Sequence, residues 1–128
     1  MDRSQLLGST AEAECAGYLR AKGYKIIAMN YSCRGGEIDI IAEQRRRTRI
    51  FAGTARGFIV FVEVKMRSRR DFGEPREAVT RRKQDRLRLA ASMWLAEHET
   101  DLQPRFDVIE VFSGERGQEF NHIENAFE

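Results

Sequence analysis

Phe58-Ile59-Val60-Phe61-Val62-Glu63-Val64-Lys65-Met66 is the stretch that decides how this chain folds. Successive side chains of a strand point to opposite faces, so Ile59, Phe61, Glu63 and Lys65 share one face. Val60, Val62, Val64 and Met66 share the other. Both faces begin apolar, which predicts a central strand covered on both sides. Halfway along, one face changes from aliphatic and aromatic groups to an acid followed by a base. A carboxylate taken out of water alone is so costly that such groups are paired or bound to a metal.

A second acid stands in similar surroundings upstream. Gly36 to Glu43 reads as a strand with Ile38 and Ile40 on one face and Glu37, Asp39 and Ile41 on the other. Tyr24 to Tyr31 precedes it as another strand, and Ser32 to Gly35 forms the turn between them. If the Asp39 strand pairs with the Glu63 strand, Asp39, Glu63 and Lys65 converge. Two carboxylates, a main-chain carbonyl and waters make an ordinary oxygen site for Mg²⁺. An adjacent ammonium can orient a water or neutralise charge on a phosphate. The bland alternative is a structural ion-pair cluster at a sheet end.

A helix is expected before these strands. It begins near Ser4 or Ser9, runs to Lys22 and stops at Gly23. Ser9-Thr10-Ala11-Glu12 has the form of a capping box, in which Glu12 bends back to the backbone of Ser9. Glu12 also has Cys15, Ala16 and Leu19 at i+3, i+4 and i+7, which places it beside the apolar face and towards the sheet. Both roles stay open. Residues 44–57 are Arg-rich without a period and read as a mobile loop or hairpin tip. A polar loop over 67–76 leads to a helix from Glu77 to about His98, with Val79, Leu87, Ala90, Ala91, Trp94 and Leu95 on its core side. Pro104 to Phe112 is a fourth strand and Gln118 to Glu124 a short fifth. The order is α-β-β-β-α-β, which predicts one α/β domain over residues 1–128 with a mixed sheet flanked by helices.

With 128 residues, 41% hydrophobic and 33% charged, the chain suits a single core and excludes intrinsic disorder. Its net charge of +2 hides an asymmetry. Residues 1–96 carry 20 basic and 11 acidic side chains, a net of +9, and residues 97–128 carry 2 and 9, a net of −7. The basic part is densest at Arg45, Arg46, Arg47 and Arg49, at Lys65, Arg67, Arg69 and Arg70, and at Arg81, Arg82, Lys83, Arg86 and Arg88. Such a distribution suits a polyanion-facing side with the acidic end turned away. No apolar run suggests a signal peptide or a membrane span, so a cytoplasmic location is expected. Cys15 and Cys33 lack zinc-ligand or disulfide spacing and are read as free thiols. His98 and His122 stand in polar surroundings and give little support to a histidine-based site.

Gly36-Glu37-Ile38-Asp39, a gap, and Phe61-Val62-Glu63-Val64-Lys65 resemble the PD-(D/E)xK motif of restriction-endonuclease-like nucleases. The wider pattern resembles the YraN-type family of small uncharacterised bacterial proteins in that superfamily. It includes Ala11-Glu12, Tyr18-Leu19, Gly23-Tyr24, Asn30, Phe72-Gly73, Glu77-Ala78-Val79, Lys83, Ala91, Trp94-Leu95 and Arg105-Phe106-Asp107-Val108, spread over most of residues 8–112. The resemblance implies a restriction-endonuclease-like core. It implies Asp39 and Glu63 as carboxylate ligands of Mg²⁺ or Mn²⁺, the Val64 carbonyl as a further ligand and Lys65 as the catalytic lysine. Glu12 corresponds to the helix-borne acid of the similar archaeal Holliday-junction resolvases and would be an outer or second-metal ligand. Ile38 stands where the motif has Pro, Ala11 where the family usually has Gly, and the 44–57 loop is longer and more basic than the family pattern.

The expected function is therefore a metal-dependent phosphodiesterase acting on DNA, with branched DNA among the candidate substrates. Arg34, Arg67, Arg69, Arg70, Arg81, Arg82 and Lys83 are the expected phosphate contacts. No membrane partner is expected. The related junction enzymes act as dimers, which makes a homodimer one candidate assembly, although no feature of the sequence fixes a dimer surface. Two rivals are a non-catalytic nucleic-acid-binding module that keeps the fold and an assembly protein whose acidic end docks a basic partner.

Overall fold

A computed structural model of the chain describes residues 3–45, 56–68, 79–114 and 117–128, with side chains from residue 10 onward. Helix α1 spans Arg3–Ala21. It ends as the Gly at position 23 predicts. Gly23 takes φ +92, its N–H donates to the Arg20 carbonyl at 2.9 Å, and the Tyr24 N–H donates to the Leu19 carbonyl at 3.0 Å. This is the Schellman pair of bonds that uses up carbonyls at a helix end. Ser9 lies six residues inside α1, so the capping-box role of Glu12 is ruled out. Glu12 is a mid-helix residue on the side facing the sheet.

Strands β1 (Lys25–Cys33) and β2 (Gly36–Arg45) form a hairpin turned at Arg34 and Gly35. Strand β3 spans Gly57–Arg67 and returns antiparallel to β2. Arg45 pairs with Gly57, so the ends of the 44–57 segment are strand and the segment closes a hairpin; residues 46–55 lie outside the described residues. Helix α2 (Arg81–Glu97) crosses to β4 (Gln103–Gly114), which lies parallel to β3, and β5 (Gly117–Phe127) closes the sheet antiparallel to β4. The strands lie in the order β1-β2-β3-β4-β5. This is the expected mixed sheet, with β5 longer than the sequence suggests.

Helix α2 begins later than its composition predicts. Thr80 is extended, at φ −60 and ψ 153, and its hydroxyl accepts from the Lys83 N–H at 3.2 Å. That cap sets the start at Arg81 and leaves Val79 outside the helix. Glu77 and Ala78 lie outside the described residues.

The two helices cover opposite faces of the sheet. Cys15, Ala16 and Leu19 of α1 pack with Ile40, Ala42, Val60, Val62, Ile109 and Val111. Leu87, Ala90, Ala91 and Trp94 of α2 pack with Ile38, Ile41, Ile59 and Phe61. Ile38 thus sits with Ile41, not with Ile40 as strict alternation predicts. The β2–β3 ladder extends only from Ile40–Val62 to Arg45–Gly57. Beyond Ile40, β2 keeps only β1 as a strand partner and can twist away from β3.

The hairpin turn is pressed against α2. A Cβ on Gly36 would come within 2.5 Å of the Arg86 carbonyl oxygen and 3.1 Å of the Ala90 Cβ. Gly36→Ala is therefore expected to destabilise the protein by about 1–3 kcal/mol, the usual cost of overpacking. Urea unfolding checks it; an unchanged midpoint would mean that the turn yields freely.

Candidate active site

The fork between β2 and β3 creates the candidate site. Asp39 and Glu63 are the first residues past the last paired position, Ile40–Val62. Past the fork, the backbone of β3 has lost its β2 partner. The Val64 N–H donates instead to Asp39 Oδ2 at 2.8 Å. The Asp39 side chain thereby replaces a strand carbonyl and is held in a fixed direction. Glu12 approaches from α1, close enough for the Asp39 charge and the Asn30 side chain to act on its carboxyl. Asn30 adopts φ 55, a left-handed conformation that asparagine tolerates better than most residues.

Glu12, Asp39 and Glu63 are each half-buried, and each is harder to ionise than in water. For Glu63, burial and then the Asp39 charge push the carboxyl up to about 7, against the pull of the Lys83 ammonium. For Asp39, burial raises the carboxyl, opposed by the Val64 N–H. For Glu12, burial and then the charge of Asp39 do the same. Like charges in a half-dry site oppose one another's ionisation.

The donor chemistry of two carboxylates with a main-chain carbonyl suits a hard divalent cation, which would remove the repulsion that now favours protonation. Among the described residues, no group of three or more His, Cys, Asp and Glu side chains is arranged to hold a metal ion. A cation here would need main-chain oxygen and water to complete its shell.

Lys65 lies on the same face of β3 as Glu63 and is half-buried. The remaining expected residues are distributed unevenly. Arg86 pairs with Glu37 at 3.8 Å, and Lys83 lies one turn earlier on that side of α2, near enough to act on Glu63. Arg34 is exposed in the hairpin turn. Arg81 is exposed and ion-paired with Asp85 at 3.3 Å, and Arg82 is exposed beside it. Arg69 and Arg70 lie outside the described residues. Arg67 is bound to Glu110 at 3.1 Å with its side chain only 15% exposed, so it is a fixed group rather than a loose surface cation. Glu110 also shows that the acidic C-terminal part does not wholly turn away from the basic face.

A matching family model covers residues 11–111 and describes an uncharacterised protein family, UPF0102. The chain belongs to the UPF0102 family. This is the YraN-type family that its residue pattern resembles. A UPF0102 protein of Geobacter metallireducens is 44% identical over 124 residues, which cover 95% of this chain and 92% of the relative. A UPF0102 protein of Symbiobacterium thermophilum is 44% identical over 126 residues, covering 97% and 98%. One from Caldanaerobacter subterraneus subsp. tengcongensis is 41% identical over 125 residues, covering 94% and 93%.

This UPF0102 chain holds a second polar cluster that the sequence reading missed. Asp107 is fully buried in β4 and accepts from Arg105 at 2.9 and 2.8 Å and from the Asn125 N–H at 3.0 Å. His122 Nε2 lies 2.7 Å from the same carboxylate. Arg105 also donates to the Tyr24 hydroxyl at 2.9 Å and to Gln44 at 2.8 Å. The His122 side chain is 3% exposed, so its expected polar surroundings are in fact an internal network. An acid inside an apolar run, the signal that marks Glu63, is also present at Asp107 and Glu110. The UPF0102 chain contains no described helix long and apolar enough to cross a membrane. Cys15 and Cys33 are free, as expected, and burial pushes the Cys15 thiol up to about 12, which leaves it unreactive.

The raised carboxyls give the protein a distinctive pH response. A Glu63 that ionises at 4.5 when unfolded and at about 7 when folded binds more protons in the folded state between those values. Stability is then fully present below the unfolded value and lost as pH rises towards the folded one. Glu12 and Asp39 act in the same direction. Thermal melts in EDTA are expected to show falling stability from about pH 5 to 7. Glu63→Gln should flatten that slope; a slope identical to wild type would show that Glu63 is not its source.

Proposed function

We propose that this protein is a Mg²⁺- or Mn²⁺-dependent phosphodiesterase acting on nucleic acid, with DNA, including branched DNA, as the substrate class. The convergence of Glu12, Asp39 and Glu63 at the strand fork carries this reading. Three acids from three elements, crowded enough to retain protons, are a poor structural device. They can serve a cation that main-chain oxygen and water help to hold, since ionisation becomes favourable once a positive charge arrives.

The residues present fit that cation, with Asp39, Glu63 and the Val64 carbonyl as direct ligands and Glu12 as an outer one. Mg²⁺ or Mn²⁺ held there supplies Lewis-acid polarisation of the phosphodiester. Asp39 stays oriented by the Val64 N–H throughout. Lys65 lies two residues beyond Glu63, about 7 Å along the strand, and stabilises the negative charge that develops on the phosphate. Lys83 brings a second ammonium from the start of α2. Arg34, Arg81, Arg82 and Arg86 extend the basic surface along the α2 side of the fork and position the backbone without reading bases.

One observation favours the rival of a binding module that keeps the fold without catalysis. It is the lack, among the described residues, of a three-side-chain metal group. Calorimetry with Mn²⁺ separates the two. Micromolar or tighter binding that Asp39→Asn abolishes supports the enzyme. Salt-sensitive DNA binding without Mn²⁺ affinity supports the module.

A further inference from the structure

Glu110 is 2% exposed, in β4, and is the register partner of Lys65 on the parallel neighbour β3. Its Oε2 accepts from Arg67 Nε at 3.1 Å, and its Oε1 accepts from Asn121 Nδ2 of β5 at 2.7 Å. Two of its carboxylate bonds thus come from two different strands. A buried ion pair is weak evidence for stability, because apolar replacement of such pairs is often neutral or better. What it does achieve is direction. A guanidinium is planar, and a bond at Nε to a fixed carboxylate sets the plane of the whole fork.

Position along β3 says what that fork addresses. Arg67 lies on the face that carries Glu63 and Lys65, four residues past Glu63, or about 13 Å along the strand. Its bond to Glu110, the register partner of Lys65, draws the guanidinium back towards the level of Lys65, about 7 Å along the strand from Glu63. That offset sets Arg67 against a phosphate beside the one held at Glu63.

We propose that Glu110 is a positioning residue that presets Arg67 for a phosphate neighbouring the reacting one, so that the site takes a polynucleotide rather than an isolated phosphodiester. This rests on the nucleic-acid reading above. The preset works by removing rotamer freedom from Arg67 before the nucleic acid arrives.

The test is the affinity of a fluorescein-labelled DNA duplex in EDTA, followed by anisotropy over a salt series. Glu110→Gln makes the protein one charge more positive, so a carboxylate that merely offset basic charge would give tighter binding when lost. Positioning predicts the opposite sign, a loss of about threefold to tenfold. Arg67→Met is expected to weaken binding and to lower the salt slope by about 1. Glu110→Gln added to Arg67→Met is expected to cost nothing further. Asn121→Ala removes only the 2.7 Å bond, keeps both charges, and should weaken binding in the same direction. It carries the test if Glu110→Gln does not fold. With Mn²⁺, Arg67→Met should lower DNA cleavage by a larger factor than it lowers hydrolysis of bis(p-nitrophenyl) phosphate.

Unchanged or tighter DNA binding by the folded Glu110 variant, or by Asn121→Ala in its place, overturns the proposal. So does a Glu110 effect that persists without Arg67, or equal losses on DNA and the small diester. Wild-type protein that does not bind DNA would sink the nucleic-acid reading as well, whereas wild-type binding with a neutral Glu110→Gln sinks the positioning role alone.

Discussion

Lys65→Ala is expected to lower Mn²⁺-dependent nicking of DNA by about 10²–10³-fold, the usual cost of removing one group that stabilises transition-state charge. Asp39→Asn should cost at least as much, because it takes a negative charge from the cation site. The two variants should differ in binding. Lys65→Ala retains Mn²⁺, since no metal ligand is lost, whereas Asp39→Asn does not. Asn is chosen over Ala because its amide oxygen can still accept the Val64 N–H that Asp39 accepts at 2.8 Å, which guards the fold. Linear and branched substrates run side by side would show which is preferred. Nicking of equal rate in wild type and both variants would remove these residues from the chemistry.

The second large effect concerns stability. Asp107→Ala is expected to destabilise the protein by about 3–5 kcal/mol, the cost of leaving a buried charge without its partner. Burial alone would raise the Asp107 carboxyl, but His122, Arg105 and the Asn125 N–H together hold it below its ordinary value. Burial likewise opposes the Arg105 charge, and Asp107 outweighs it. Each group is charged because the other is. Small domains hold only about 5–15 kcal/mol in reserve, so the variant would be marginal. Replacing both partners, as Arg105→Met with Asp107→Leu, removes the stranded charge and should cost less than Asp107→Ala alone. Urea unfolding of the three proteins decides it; a double variant worse than the single would show that the network is needed for packing around Tyr24 and His122. Acid acts here with the opposite sign to its effect at the fork. Asp107 contributes stability above its unfolded value of 3.8 that is lost as pH falls through the lower folded value.

Much of the fold is legible locally. The two apolar faces of residues 58–62 require cover on both sides, and α1 and α2 provide it. Gly23 marks the end of α1 because a left-handed residue is needed there and glycine takes it at least cost. The start of α2 is read less well. Helical composition extends upstream of the real boundary, whereas the Thr80 hydroxyl that sets the boundary is a single atom making a single bond.

The site divides in the same way. Asp39, Glu63 and Lys65 can be found in the chain because an acid or base in an apolar strand contradicts its surroundings. The same contradiction holds at Asp107 and Glu110, and there it marks a structural network and an arginine clamp. Sequence cannot sort these cases, because the difference lies in what stands opposite. Asp107 faces Arg105 and His122, Glu110 faces Arg67 and Asn121, and Asp39 faces other acids.

By itself, then, the sequence determined the order of the elements, the central strand and the family, since periodicity and turn residues act over a few positions. Only the tertiary structure decided that Glu12 is a site residue and not a cap, that β2 parts from β3 between Ile40 and Asp39, and which buried acids are neutralised by a cation of the protein's own. Those outcomes depend on contacts between residues 25 to 81 positions apart, where Coulomb and desolvation energies follow distance in space and are blind to distance along the chain.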